Sequence, residues 1–462
     1  MGKGANVNTA GALAVCFALA MSAAQAITKE GFESGIGTRD HPWMIADAEQ
    51  LDRVHFYLGP IHSNAWFALA NDVDLTAYLS PGGAGYAKWG AAGWSPIGYP
   101  QEWPDRSGGF YGKLNGNGHQ VTGLWINREA MGVGLFGCTQ EGCEILNLEV
   151  VSDAAQGGVR GAGETGGIVG AAFGSRLVNA RMRGLVRGGG SVGGLVGMVE
   201  VTVLSNCQAE CTVALDSGRS GGGGLVGGLH NGLVVSSYAN GRVSGSYVVG
   251  GLVGSVNTYG TLSNCYAKGR VTGSDRVGGV SGSNFGVISH VYSACAVEGD
   301  TRVGGLAGEN GYGTREIAYS HFDLQAAGVT NGVGGSYALG GGYGKTDEEM
   351  RRQATFAAWD FDAVWSIREG LACPVFRWQP YAPIGLKLTG FSKGAGGFAF
   401  AWGDVGTNVP VVCGKTLLSD AAWTPLTNAA GVTVHLQNGG ALLVLDEQNG
   451  AAPCRFFTVI VP

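Results

Sequence analysis

The sequence predicts an all-β protein built around a right-handed parallel β-helix. A glycine-rich pentapeptide recurs at a fixed period, aliphatic columns keep step with it, and each period breaks into short runs of β-formers. Residues 166–320 hold six copies that open on Gly-Gly, an aliphatic residue, a small residue and Gly, at 166–170, 193–197, 223–227, 250–254, 278–282 and 304–308. Their third residues are Ile168, Leu195, Leu225, Leu252, Val280 and Leu306, at steps of 27, 30, 27, 28 and 26. A period between roughly 20 and 50 marks a solenoid, whose units bury their apolar faces only by stacking on one another.

A second aliphatic position follows nine or ten residues later: Leu177, Leu204, Val234, Leu262, Ile288 and Ile317. Nine residues beyond it stand Val186, Val213, Val243, Val271 and Val297, while Arg183, Glu210, Asn240, Lys268 and Ala294 share a freely varying register. Constant aliphatic columns beside variable charged ones are the mark of an inside and an outside.

Strand is favoured over helix because Gly makes up 85 of the 462 residues and no repeat holds a glycine-free run of helix formers. Each copy offers three short β-type runs, such as 250–256, 261–266 and 269–271, broken by Gly, Asn and Ser. The glycines are expected to supply the positive φ of tight corners, and Asn and Ser to favour the same corners. Three short strands per turn make one triangular coil, with stacked coils roughly 4.8 Å apart.

The flanks divide the chain further. Residues 1–26 read as a secretory signal peptide: Lys3 in a polar start, an apolar core over 10–21, and Ala24-Gln25-Ala26 as a small-x-small cleavage site. The expected product is secreted or held at the cell surface, and no segment reaches the ~18 apolar residues of a transmembrane helix. Residues 27–105 form an N-terminal cap region. There Asp47 and Gln50 resemble a capping box, and Leu51, Val54 and Leu58 a helical stripe over 45–58. Repeats follow over 106–342, then a C-terminal cap over 343–382 with a second capping box at Thr346–Glu349 and crowded rings at Trp359, Phe361, Trp365, Phe376 and Trp378. Residues 383–462 lose the glycine repeat and show about seven short β-type runs, the pattern of a small antiparallel sandwich-like module.

Without Cys16 nine cysteines remain, an odd number. Cys207 and Cys265 share one repeat position two coils apart, and Cys211 and Cys295 another three coils apart, beyond disulfide reach. They read as small core residues. Cys138 with Cys143, and Cys413 with Cys454, are the candidate bridges.

Several of these segments resemble the GLUG-repeat family of secreted and surface bacterial proteins. The likeness is carried by Val249-Gly-Gly-Leu-Val-Gly254, Leu262-Ser-Asn-Cys-Tyr-Ala267 and Gly269-Arg-Val-Thr-Gly273. Flanking segments join in: Pro42-Trp43-Met44-Ile45, Trp94-Ser-Pro-Ile-Gly98 and Phe110-Tyr-Gly-Lys-Leu-Asn-Gly-Asn-Gly-His119, then Pro374-Val-Phe-Arg-Trp378. The resemblance spans roughly residues 35–380 and implies a β-helix. Such repeats occur in adhesin-like proteins and in the non-catalytic part of IgA-specific metallopeptidases. This chain holds no His-Glu dipeptide, so the metallopeptidase motif is absent.

Chemistry is sparse elsewhere. Residues 161–166 match a dinucleotide fingerprint, but the pentapeptide follows where a helix should begin. Residues 218–222 match a nucleophile elbow inside a glycine run. The eight histidines show no metal-ligand spacing; His290 and His321 read as surface residues of neighbouring coils. From 158 to 320 there are 9 acids against 12 Lys or Arg, with Asp275 and Asp300 the pair best placed to approach each other. A glycosidase or lyase would need clustered acids. A net charge of −6 gives no reason to expect a nucleic-acid partner, and no cofactor is expected.

One register stands out. Tyr238, Tyr266 and Tyr292 align in three successive coils, with Gln208 before and His321 after. Facing outward they would form a ring ladder for sugar or peptide contact; packed together they would stabilise the sheet. Arg242 and Arg270 lie beside them. The expected function is therefore a non-catalytic adhesin or extracellular interaction module whose partner is a glycan or a host or cell-surface protein. A carbohydrate-active β-helix enzyme and a structural envelope component are the alternatives.

Overall fold

The computed structural model describes residues 31–98, 107–311, 317–335 and 343–379, and the backbone of seven strands between Leu388 and Ile460. The leader expected over 1–26 lies outside the described residues. The chain divides into two units, residues 1–347 and 348–462.

The first unit is a parallel β-helix of about ten turns. One ladder can be followed rung by rung: Trp43–Ile45, Trp66–Leu69, Lys113–Asn115, Glu144–Leu146, Arg176–Val178, Val203–Ser205 and Leu233–Val235. It continues through the long strands Thr261–Thr272 and Val287–Glu298 to Ile317–Ala318. Each repeat also feeds a six-stranded and a seven-stranded parallel sheet, so the coil has three walls.

The aliphatic columns are in register as expected. Leu177, Leu204, Val234, Leu262, Ile288 and Ile317 pair in succession, as do Val186, Val213, Val243, Val271 and Val297. Leu195, Leu225 and Leu252 are fully buried in the same core. Each such side chain stabilises the fold by about 1.5–3 kcal/mol relative to an exposed one.

The glycines act differently from the sequence expectation. None of Gly250, Gly251 and Gly254, nor their counterparts in the other copies, has positive φ. A Cβ on Gly250 would lie 2.8 Å from Gly282 N and from Ser281 Cα, and closer still to Val253 O. The pentapeptide is glycine because backbones of successive coils meet there. The left-handed corners fall outside the pentapeptide, some on glycine, such as Gly174 and Gly221 with φ of 57 and 95°, and one on Asn147, Asn179, Asn206, Ser236, Asn264, His290 and Tyr319, with φ between 49 and 54°. Val248, Arg276 and Arg302 occupy a second corner with φ of 55, 57 and 49°.

Parallel pairing starts at Trp43, well inside the expected cap region, and its first coils add aromatic rings to the aliphatic core. Phe67, Phe110 and Phe136 stack at 6.1 and 5.0 Å between centroids. The expected helix is shorter than the stripe, running over Ala48–Arg53 with a 3-10 turn at Val54–Phe56. Asp47 caps it by accepting from Gln50 N at 2.8 Å, while Gln50 Oε1 reaches back to Ala46 N at 2.8 Å. Asp52 on this helix is buried with Lys88 Nζ at 2.5 Å, Tyr78 OH at 2.9 Å, Trp89 Nε1 at 3.0 Å and His55 Nδ1 at 3.1 Å. Burial alone would raise its pKa, but hydrogen bonds from His55, Lys88 and Tyr78 outweigh it and hold the carboxyl at about 2.

After the segment where a second capping box was expected, the chain makes a short turn. The turn is a 3-10 helix at Glu349–Arg351 whose N-cap, Glu348, makes no side-chain capping bond. The rings do crowd: Phe356–Trp359, Trp359–Trp365, Trp365–Phe376 and Phe376–Trp378 lie 4.7, 4.4, 4.5 and 5.3 Å apart. Beyond them seven strands pair antiparallel as a four-stranded and a three-stranded sheet, matching the expected class of the terminal module.

Candidate functional site

The tyrosines sit on the largest wall, where side chains alternate between the core and the outer face. Ala209, Ala239 and Ala267 belong to the core, so their neighbours Gln208, Tyr238 and Tyr266 point the other way. In-register pairing links Arg181, Gln208, Tyr238, Tyr266, Tyr292, His321 and Tyr343 in a single column. Tyr238 and Tyr266 stack at 4.8 Å and 5°, Tyr266 and Tyr292 at 5.0 Å and 8°. Gln208 terminates the stack: its Oε1 lies 2.5 Å from the Tyr238 hydroxyl and 2.9 Å from Arg181 Nη2.

The stack is not an open platform. Tyr238, Tyr266 and Tyr292 are 6, 3 and 0% exposed, and Lys268 Nζ sits 5.1 and 5.7 Å from the latter two centroids. The ladder is a packed column that ties coils together, so ring faces for sugar contact are not presented. His321 is also buried, at 8%, which corrects its reading as a surface residue; His290 stacks on Tyr319 at 5.0 Å.

Open surface begins one column over. The strands keep one register from Gln208–Tyr238 to Ala214–Ser244, and the column of Gly184, Cys211 and Gly241 lies between the pairs Ala209–Ala239 and Thr212–Arg242. Gly184 has φ of 121° and Gly269, further along this column, 115°. A shallow groove of about 580 Å³ runs beside this column, with exposed Glu210, Thr212, Asn240 and Arg242 at its sides. Arg242 thus belongs to an accessible feature, while Arg270 is engaged with Glu298 of the next coil. The variable charged register was legible in sequence, but the groove beside it, lined also by Ala154 and Leu185, was missed.

Several acids of the coil are held by arginines, while Glu210 at the groove accepts from the Tyr238 hydroxyl at 3.2 Å. Glu149 meets Arg181 at 3.6 Å and Arg183, and Glu144 meets Arg176 at 3.7 Å. Asp275 accepts from Arg302 Nε and Thr301 Oγ1, both at 2.7 Å, and Arg302 holds its carboxyl below the usual range. Asp275 therefore has an arginine where an acid partner was expected. Among the described residues no group of three or more His, Cys, Asp or Glu is placed to hold a metal ion.

No disulfide joins Cys138 and Cys143, which corrects the expected bridge. Cys143 lies in the main core, whereas Cys138 packs with Ala171, Phe173 and Met198 in a separate cluster. Cys207, Cys211, Cys265 and Cys295 are buried thiols, as their columns implied, and burial pushes Cys207, Cys265 and Cys295 up to about 12. The Cys413–Cys454 pair lies outside the described residues.

Comparison with known proteins places the GLUG motif on residues 245–272. A candidate Gly-rich membrane protein of Evansella cellulosilytica is 41% identical over 123 residues, 26% of this chain and 12% of the relative. Halomucin of Haloquadratum walsbyi is 33% identical over 143 residues, 30% of this chain and 1% of the relative. The chain thus matches only a small part of the length of these curated relatives. A crystal structure of a candidate immunoglobulin A1 protease from Bacteroides ovatus aligns with a TM-score of 0.46 at 18% identity, covering 76% of this chain and 96% of that one.

Proposed function

We propose that this carrier of the GLUG motif is a non-catalytic interaction module of the bacterial surface or its surroundings, an adhesin that holds an extracellular glycan or protein. The observation that carries this reading is the state of the acids. Asp275, Glu144, Glu149 and Glu298 are each paired with arginine, mostly from a neighbouring coil. A carboxylate whose oxygens are occupied by a guanidinium is poorly placed to hand a proton to a leaving group, and glycoside cleavage requires one acid of raised pKa facing a second carboxylate. The exposed groove with Glu210, Asn240 and Arg242 offers hydrogen bonds of both polarities without such a pair. One relative is named a membrane protein, which supports a surface setting, and no helix of the described residues is long and apolar enough to span a bilayer.

The test is incubation of the full chain with surface polysaccharides and with intact cells. Retention on the surface without release of new reducing or unsaturated ends is expected. Release of such products, reduced by substitution of Glu210, would make the protein an enzyme and end the adhesin reading.

A further inference from the structure

A second recess interrupts the regular coil. The short helices Thr76–Leu79 and Ala84–Trp89, Trp125 and the 3-10 turn Ala154–Gln156 enclose a pocket of about 140 Å³. Its walls include Leu79, Ser80, Tyr86, Trp125, Asp153 and Gln156. We propose that this pocket binds a single ring of a neutral sugar within an extracellular glycan, a proposal that deepens the surface-binding reading and rests on it.

Three features select that occupant. The first is size, which falls below the roughly 300–1,000 Å³ of sites that enclose a drug-sized ligand, so one ring fits and a chain does not. The second is rigidity. Trp125 packs against the core, and a Cβ on Gly93 would lie 2.7 Å from its Cε3, so the indole is wedged against backbone. Asp153 is fixed as well, because its Oδ1 accepts from Ala155 N at 2.9 Å and Gln156 N at 3.3 Å. The third is unused hydrogen-bonding capacity. Among the described residues, Trp125 Nε1, the Tyr86 hydroxyl and Asp153 Oδ2 make no hydrogen bond.

A sugar ring matches this set. Its C–H face can lie on an aromatic wall, and its hydroxyls can donate to the carboxylate in charge-assisted bonds. An apolar ligand would bury the Asp153 carboxylate without a partner, a loss of several kcal/mol in affinity terms that sugar hydroxyls avoid. A uronate would be repelled by the same group. A quaternary ammonium is best held by several aromatic faces, and here Leu79, Ser80 and Pro81 supply much of the wall.

Saturation-transfer NMR of the full chain with methyl hexosides, methyl N-acetylhexosaminides, methyl uronates and choline tests the assignment. A neutral glycoside is expected to bind with a Kd of about 1 mM. Asp153→Asn should weaken it roughly tenfold, and Trp125→Ala and Tyr86→Ala should each weaken it with the far-UV circular dichroism unchanged. Arg242→Ala in the distant groove should leave it unaltered. The pocket assignment is overturned if no neutral glycoside gives a signal, if uronate or choline binds in its place, or if folded Tyr86→Ala and Asp153→Asn both bind as before. Cell retention that survives those substitutions would discard the pocket while leaving the adhesin reading intact, whereas release of polysaccharide products would refute that reading itself.

Discussion

Replacing Gly250 by alanine tests the reason for the repeat more directly than any change in its aliphatic core. The added methyl carbon would stand 2.8 Å from Gly282 N and 2.8 Å from Ser281 Cα on the next coil, with Val253 O nearer still. All three obstacles are backbone, so no rotamer change relieves them; the turn to Val253 O within the same coil must open and the next coil must move away. Overpacking typically costs 1–3 kcal/mol, and because backbone must move we expect the upper end, about 3 kcal/mol. The neighbouring corner should give the opposite sign. Val248 is a β-branched residue at φ of 55°, a region that costs such residues of order 1–3 kcal/mol. Glycine there relieves that strain at an entropic cost of about 0.5–1 kcal/mol, so Val248→Gly should be neutral or stabilising by about 1 kcal/mol. Urea denaturation followed by circular dichroism and tryptophan fluorescence reads both. If Gly250→Ala shifts stability by less than 0.5 kcal/mol, roughly the scale of an ordinary surface change, the close coil-to-coil approach is wrong and so is the explanation of the pentapeptide.

Three further outcomes are expected. Tyr266→Ala removes the middle ring of a buried stack and should cost about 3 kcal/mol, whereas Arg270→Ala breaks an exposed pair and should stay within about 0.5 kcal/mol; equal effects in urea titrations would contradict the packed-column account. Asp52 has a depressed folded pKa, so its contribution is fully present above about pH 4, the unfolded value, and is lost as pH falls toward about 2. Asp52→Asn should therefore flatten that part of the acid stability curve, and an unchanged acid limb would count against the ion cluster. The buried thiols Cys207, Cys265 and Cys295, raised by burial, should resist alkylation at pH 8 until denaturant is added. Unfolding without reductant should then leave Cys138 and Cys143 both alkylatable, and a mass two hydrogens lighter across the peptide that holds them would restore the bridge.

The period and the inside-outside pattern were legible because a stacked coil repeats its demands. Leu204, Val234 and Leu262 occupy one environment three times, and the chain answers with one residue type. The reason for the glycines was not legible. Close backbone approach and positive φ both select glycine, and the letters alone do not separate a steric cause from a conformational one. The structure separates them by placing Asn264, His290, Tyr319 and even Val248 at the positive-φ corners. The first coils escaped notice for another reason: the full pentapeptide does not occur in them, and Phe67, Phe110 and Phe136 set rings beside the aliphatic rungs Leu114 and Ile145. The tyrosine register was visible but its burial was not, since burial depends on what lies over a column and not on what lies in it.

These differences bear on where binding chemistry can arise in such a chain. A regular column uses its own functional groups: Tyr266 gives its two faces to Tyr238 and Tyr292, Asp275 gives its carboxylate to the next coil, and Asn179 Nδ2 donates to Asn147 Oδ1 at 3.0 Å. The more perfect the repeat, the less it has left to offer a ligand. Free polar groups should then gather where regularity fails, at an insertion such as the helices around Trp125. The pocket was invisible in the sequence for the same reason that makes it a site: its residues come from four separated segments that share no register. Repeats can therefore vary in number and in surface charge without touching it, and recognition and length can change independently along one chain.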